Sequence, residues 1–281
     1  MGLKLPFVNS PEFRRLLQGD SEPDLARIAL EIARDAYPAL DMEAYLLRLE
    51  LLSDRVRERC HSLDKPRLVL GQINWVLFVE EGFQGNADQY DDPRNSYLNE
   101  VLDRKMGIPI SLSVVYWQVA QRVGLSVGGL NLPAHFMLRV NSTAQDLIIV
   151  DPFHSGALLD REGCRKQIAR QIGRPVAIDE ALFEPCSTVQ VVSRMLRNLK
   201  TIYVQTHEYS AAVPVIRRLV ALNPQDYEEQ RDVGLLLLRL DRPDEAVLSL
   251  QTYVEARPDN ADAEDVRALL RVAQREIALR N

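Results

Sequence analysis

Apolar residues recur at helical spacing through the first third of the chain, give way to short alternating runs in the middle, and return to helical spacing afterwards. In DLARIALEIARDAYP, Leu25, Ile28, Ile32 and Ala36 share one stripe, because residues three and four apart lie on one face of a helix. Pro38 punctuates that helix, since proline has no amide proton and collides with the turn before it. The same period continues through MEAYLLRLELLSDRVRERC and PRLVLGQINWVLFVEEG, the second ending at Gly82. FQGNADQYDDPRNS is polar and dense in turn residues and predicts a loop. YLNEVLDRKMG predicts a short helix ending at Gly107. MGIPISLSVVYWQVAQRVGL predicts an apolar helix with Leu112, Val115, Val119 and Val123 on one face, closed by Gly124.

After Gly124 the period changes. LSVGGLNL, AHFMLRV and DLIIVDPF are short, β-rich and bounded by Pro, Asn, Ser or Asp, so they predict three antiparallel strands. One helix against a small sheet makes this middle segment α+β. From about Val189 the chain reads as helical again and repeats itself. LVALNPQD and YVEARPDN place Pro224 and Pro258 34 residues apart, and Ala212 and Ala246 share that offset. Gly234 falls 24 residues before Pro258, while Lys200 takes the matching position of the first repeat. A 34-residue period with small residues where two helices touch, and proline after the second helix, is the pattern of tetratricopeptide repeats. The predicted organisation is a helical region over 1–85 packing on an α+β core over 86–188, followed by an all-α repeat-like domain over 189–281.

The chain has 281 residues, 46% hydrophobic and 26% charged, as expected of a globular protein built from more than one core. A net charge of −6 argues against a nucleic-acid binder, which needs a basic face. No apolar run reaches the roughly 18 residues that span a bilayer, so no membrane association is expected. The start MGLKLPFVNSPEF has neither a secretion-signal core nor the serine or threonine of a myristoylation signal after Met1-Gly2, so a cytoplasmic location is expected. Cys60, Cys164 and Cys186 are widely spaced free thiols by this reading, with no zinc spacing. Neighbouring Cys60 and His61 point apart on a helix, and Asp88, Asp91 and Asp92 fit no calcium loop, so they are expected to be solvated. Neither a cofactor nor a metal is called for.

Four histidines narrow the search for chemistry. His61 and His207 lie in polar helical contexts and are expected at the surface. His135 opens AHFMLRV, out of phase with Phe136 and Leu138, and Asp151 ends DLIIVDPF. If these strands form a hairpin, the carboxylate can fix the imidazole tautomer and favour its charged form. A nucleophile at the N-terminus of the packed helix would complete the set, because the helix dipole favours an anion there.

These features resemble the transglutaminase-like (papain-like cysteine protease) superfamily, whose core runs helix with Cys, strand with His, strand with Asp. NSYLNEVLDRKMGIPISLSVVYWQVAQRVGLSVGGLNLPAHFMLRV followed by VDPF is similar to its bacterial SirB branch, whose members carry tetratricopeptide repeats. The resemblance implies His135 and Asp151 as the superfamily's histidine and aspartate, and places its cysteine on or beside Ser111, where no Cys occurs. Ser111 then has two readings. It caps its helix, accepting from the backbone N–H of Ser113 or Val114, or it is a nucleophile with His135 as base. A serine hydroxyl is far less acidic than a thiol and needs both a base and an oxyanion hole.

The implied function is a protein-interaction or regulatory role without the catalytic cysteine, the repeat helices holding a protein or peptide partner. The alternative is an acyl transferase or amide hydrolase using Ser111, His135 and Asp151. Arg217, Arg218, Arg231 and Arg239 are expected to border the repeat groove and suit an acidic segment. Asn95 and Asn99 are expected to satisfy loop backbone groups, and His154 to lie on a surface loop or line the same cleft.

Overall fold

The computed structural model describes residues 7–20, 23–62, 64–141, 147–175 and 179–280; the Met1-Gly2 terminus and the Asp146 start of the third predicted strand lie outside them. Two compact units emerge, the first running to Met195 and the second from Leu196.

The first unit opens with α1 (Pro11–Leu17), α2 (Leu25–Ala33), α3 (Met42–Arg59) and α4 (Pro66–Asn74). Helix α2 is buried on nearly every face, Glu31 included. A carboxylate in that position needs donors, and it finds them at the start of α1: Glu31 accepts the backbone N–H groups of Glu12 (2.9 Å) and Phe13 (2.8 Å). The predicted stripe holds for Leu25, Ile28 and Ile32, but α2 stops at Ala33, so Ala36 is exposed beyond it. Helix α4 passes at Trp75–Glu80 into a π-helical turn before Gly82, a widening that the apolar spacing did not announce.

Beyond the loop, β1 (Gln84–Gly85) pairs in parallel with β2 (Met106–Gly107) around α5 (Leu98–Arg104). Lys105, in the left-handed region at φ 58, ends α5, not Gly107 as predicted. Helix α6 (Pro109–Arg122) is buried all round from Pro109 to Ala120 and receives α2, α3 and α4 on its flanks. The sheet runs β3 (Val127–Leu132), β4 (His135–Asn141), β5 (Leu147–Asp151) and β6 (Ala157–Leu159), every neighbouring pair antiparallel. This sheet has one more strand than the three predicted, and the pair β1 and β2 forms in segments predicted as loop and helix. Leu130, Leu132, Met137 and Ile149 fill the face covered by Cys164 and Ile168 of α7 (Arg161–Ile172); Phe136 turns to the other face, where a Cβ on Gly129 would meet both its ring and Trp117 of α6.

Helix α8 (Thr188–Gln205) leads into the second unit, which contains α9 (Tyr209–Leu222), α10 (Tyr227–Arg239), α11 (Pro243–Ala256) and α12 (Ala263–Arg280). Both α9 and α11 contain 14 residues, and they start 34 residues apart. Gly234 lets α10 and α11 touch: a Cβ there would lie 2.5 Å from Leu250. Lys200 ties the repeats differently, its ammonium reaching Glu229 (2.7 Å) and Asp232 (2.6 Å). No helix among the described residues is long and apolar enough to cross a membrane.

Candidate functional site

Strand register brings the imidazole and the carboxylate together. Leu138 pairs with Val150, so Asp151 falls opposite Met137, and His135, two residues earlier in β4, shares that side of the sheet. His135 Nε2 lies 3.0 Å from both carboxylate oxygens of Asp151, and both residues are wholly buried. Asp151 also caps the short 3-10 turn Pro152–His154, accepting from the backbone N–H of Phe153 at 3.1 Å. His154 contributes a second imidazole, with Nδ1 2.7 Å from Asp151 Oδ2 and the ring half-exposed beside Gln167. It is therefore both a surface loop residue and a part of this cluster. Burial works to raise the Asp151 carboxyl, but the hydrogen bonds and charges of His135 and His154 outweigh it and hold the group below the usual carboxylate range.

Ser111 is elsewhere engaged. It is not the helix N-cap; Ile108 is, and Ser111 is the third helical residue. Its hydroxyl accepts from the backbone N–H of Ile108 (3.1 Å), rather than of Ser113 or Val114, and donates to the carbonyl of Asn95 (2.5 Å). At 2% exposure it has no hydrogen bond to His135. The other imidazole nitrogen, His135 Nδ1, is buried without a partner, and Phe153 lies edge-on to the ring at 5.9 Å. Gly85 makes room for that phenyl: a Cβ there would sit 2.6 Å from it.

No thiol takes Ser111's place. Cys164 packs against Met137 and its pKa is pushed up to about 12 by burial, while Cys186 sits against Gly129 with its thiol pushed up to about 11. Cys60 is half-exposed at the end of α3, beside exposed His61. Neither His61 nor His207 is helical as expected; both are exposed loop residues. Asp88 and Asp91 are solvated, whereas Asp92 pairs with Arg94 and Arg104.

One ligand atom each of His135, Asp151 and His154 lies within 4.8 Å of the other two, a spacing that a transition metal could draw together. A metal on Nε2 would force the ring proton onto Nδ1, where nothing accepts it. The hydrogen-bonded pair suits these residues better.

Asn95 holds the loop as expected, its Nδ2 donating to Gln89 O (2.6 Å) and its Oδ1 accepting from Asn86 (3.1 Å); Asn99 is buried with Oδ1 unpartnered. Sequence reasoning missed Asn74, which accepts from the Tyr116 hydroxyl (2.9 Å) and donates to Gly156 O (2.8 Å), tying α4 and α6 to the turn behind Asp151. Only the Ser155-Gly156 turn signal pointed there.

In the second unit, Val204, Tyr209, Leu235, Leu236 and Arg239 line a cleft of about 420 Å³. Arg239 rests on the Tyr209 ring and donates to its hydroxyl (2.7 Å). The other predicted border arginines are placed differently. Arg217 pairs with Glu245 (2.6 Å), Arg231 with Asp232 and Asp262 (each 2.8 Å), and Arg218 is buried. Helix periodicity located these arginines but could not say which carboxylates would reach them.

Residues 43–197 match the family model described as the transglutaminase-like superfamily, and the UPF0162 protein of Xylella fastidiosa is 35% identical over 95% of both chains. The chain belongs to the transglutaminase-like superfamily. Residues 199–271 of this transglutaminase-like protein match a tetratricopeptide-repeat model, bearing out the repeat read from the 34-residue period. Protein SirB1 of Salmonella typhimurium is 24% identical over 90% of this chain and 93% of its own, in line with the SirB resemblance. F-box only protein 21 of Mus musculus is 34% identical over 47% of this chain and 21% of its own length. A transglutaminase-like core coupled to tetratricopeptide helices is thus the architecture of this protein.

Proposed function

We propose that this chain is a cytoplasmic protein-interaction or regulatory protein, with a transglutaminase-like core kept as a scaffold and repeat helices that hold a protein or peptide partner. In this reading 1–85 supports the core over 86–188, His135 and Asp151 brace the sheet, and the domain over 189–281 does the binding. The observation that carries it is the commitment of the Ser111 hydroxyl to the Asn95 carbonyl, which leaves His135 Nδ1 with no nucleophile to activate. The apolar cleft at Val204, Leu235 and Leu236 suits a partner's side chain, and Arg239 adds a donor at its edge.

Affinity capture from the source cytoplasm, followed by mass spectrometry, tests the division of labour. Leu235→Asp is expected to lose the partner, and Ser111→Ala and His135→Gln to retain it; retention by Leu235→Asp would sink the proposal. The competing reading, an acyl transferase or amide hydrolase with Ser111 as nucleophile, His135 as base and Asp151 behind it, predicts a covalent fluorophosphonate adduct on Ser111. We expect none, because attack would first require the serine to leave Asn95.

A further inference from the structure

The outward face of α4 and of the π-helical turn that continues it is apolar. Leu68 (63% exposed), Gly71, Trp75 (45%) and Val79 (60%) follow one another at steps of three, four and four residues, the spacing of a single helical stripe. A helix face open to water is ordinarily polar, and a contiguous apolar stripe marks a surface that something covers. Gly71 points the same way by a different route. Glycine inside a helix costs stability relative to alanine, and nothing in the chain calls for it here. It has no left-handed φ, and beyond the helix's own backbone nothing lies within 4 Å of where its Cβ would be. The close approach that it permits is to a body outside the chain.

Trp75 is held ready as an anchor. Its Nε1 donates to Glu80 (3.0 Å), and the Arg59 guanidinium rests over its ring at 5.4 Å, so little freedom is left to lose on binding. Tryptophan is prominent among the side chains that carry interfaces. A receptacle for such a ring is on the same face. Arg59, Cys60, Lys65, Leu68 and Gln72 line a cavity of about 600 Å³. Its two cations, against one carboxylate from Glu58, suit the electron-rich face of an indole. Leu68 at the cavity and Trp75 are two turns apart, about 10 Å along the helix, and Gly71 and Gln72 are at the midpoint between them.

We propose that this face joins two copies of the chain in an antiparallel, two-fold dimer. A two-fold axis beside Gly71 and Gln72 sets Trp75 of each copy on Leu68 and its cavity in the other. One patch then supplies both anchor and receptacle, as an isologous interface requires. Glycine at the crossing lets the helices approach there, and a partner of another kind would impose no such symmetry about it. The same axis carries Lys65, exposed and without an ion pair among the described residues, toward Glu80 of the second copy. The face lies in the first unit and stands whether or not the repeat cleft holds a partner.

Sedimentation equilibrium of the full chain, under reducing conditions that keep Cys60 from linking copies, measures the association. A patch of this extent is expected to give a reversible dimer with a micromolar dissociation constant. Labelling with 5-fluorotryptophan reports on the face itself. The 19F signal of Trp75, assigned with Trp75→Phe, is expected to shift with concentration along the same binding curve while that of Trp117 stays still. Trp75→Ala is expected to weaken association by about thirtyfold or more. Gly71→Leu separates interface from fold, because the single chain has open space there. At dilutions where both proteins are monomeric its melting temperature is expected to hold or rise, while the dimer is lost. A chain that stays monomeric at several hundred micromolar, a dimer that leaves the Trp75 signal unmoved, or a Gly71→Leu variant that still associates would overturn the proposal. So would a Trp75 signal that moves only when a different protein is added, which would give the face to that partner.

Discussion

Replacing Ser111 by alanine strips two buried backbone groups, the Asn95 carbonyl and the Ile108 amide, of a partner. Each buried orphan costs about 1–3 kcal/mol, so Ser111→Ala is expected to lower unfolding free energy by about 2 kcal/mol in urea melts. A brace explains that loss; a surface cap would cost about half as much. Asp151 gives a pH signature. Its folded pKa lies below the unfolded value near 4, so the stability it contributes is present above about pH 4 and lost as pH falls through the folded pKa. Asp151→Asn is expected to flatten that acid limb of the stability curve and to destabilise at neutral pH, where His135 and His154 lose the charge and one of the two acceptor oxygens they share; an unchanged limb would assign the acid transition to other carboxylates. The meeting of His135 and Asp151 was legible because strand period and hairpin pairing are local rules. The partner of Ser111 was not, since Asn95 belongs to a loop without period.

Glycines mark where elements approach too closely for a side chain. Gly156 turns at φ +72 with the Asn74 carboxamide 2.0 Å from where a Cβ would be. Gly156→Ala therefore combines backbone strain with a collision against the group that ties α4 and α6 to the Asp151 turn. A loss of about 3 kcal/mol or more is expected in thermal or denaturant unfolding. Gly85→Ala collides with both the ring and the backbone of Phe153 and is expected to cost about 1–3 kcal/mol, with altered His135 imidazole shifts by NMR. At this scale most helices were legible from apolar spacing, their ends less so. Lys105 accepted a left-handed conformation that glycine would have signalled, and β6 with α7 follows a segment too polar and short to show a clear period.

Across the molecule, charge is arranged in local ties more than in one field. In the second unit, Lys200 stands where the next repeat has Gly234, and joins two carboxylates of α10 in place of a close helix contact. Glu229 is the more buried of the two, and desolvation raises its pKa. Lys200→Met leaves that carboxylate unpaired, and a loss of about 1–3 kcal/mol at neutral pH is expected. Because unpaired Glu229 binds a proton more readily when folded, the variant should regain stability as pH falls toward its carboxyl range, which pH-dependent urea melts would show. The net charge of −6 predicts no retardation of duplex DNA in a mobility assay.

The α+β class, the helical flanks, the 34-residue repeat and the pairing of His135 with Asp151 follow from periods of 2, 3.6 and 34 residues, which are written in consecutive positions. Tertiary structure alone decided which polar atoms are satisfied: that the Ser111 proton goes to Asn95, that His154 shares the Asp151 carboxylate, and that Arg217 and Arg231 are paired. Those outcomes depend on loop paths and on distances between residues far apart in the chain. Hydrophobic patterning selects a face, but it carries no information about which donor on one face will meet which acceptor on another.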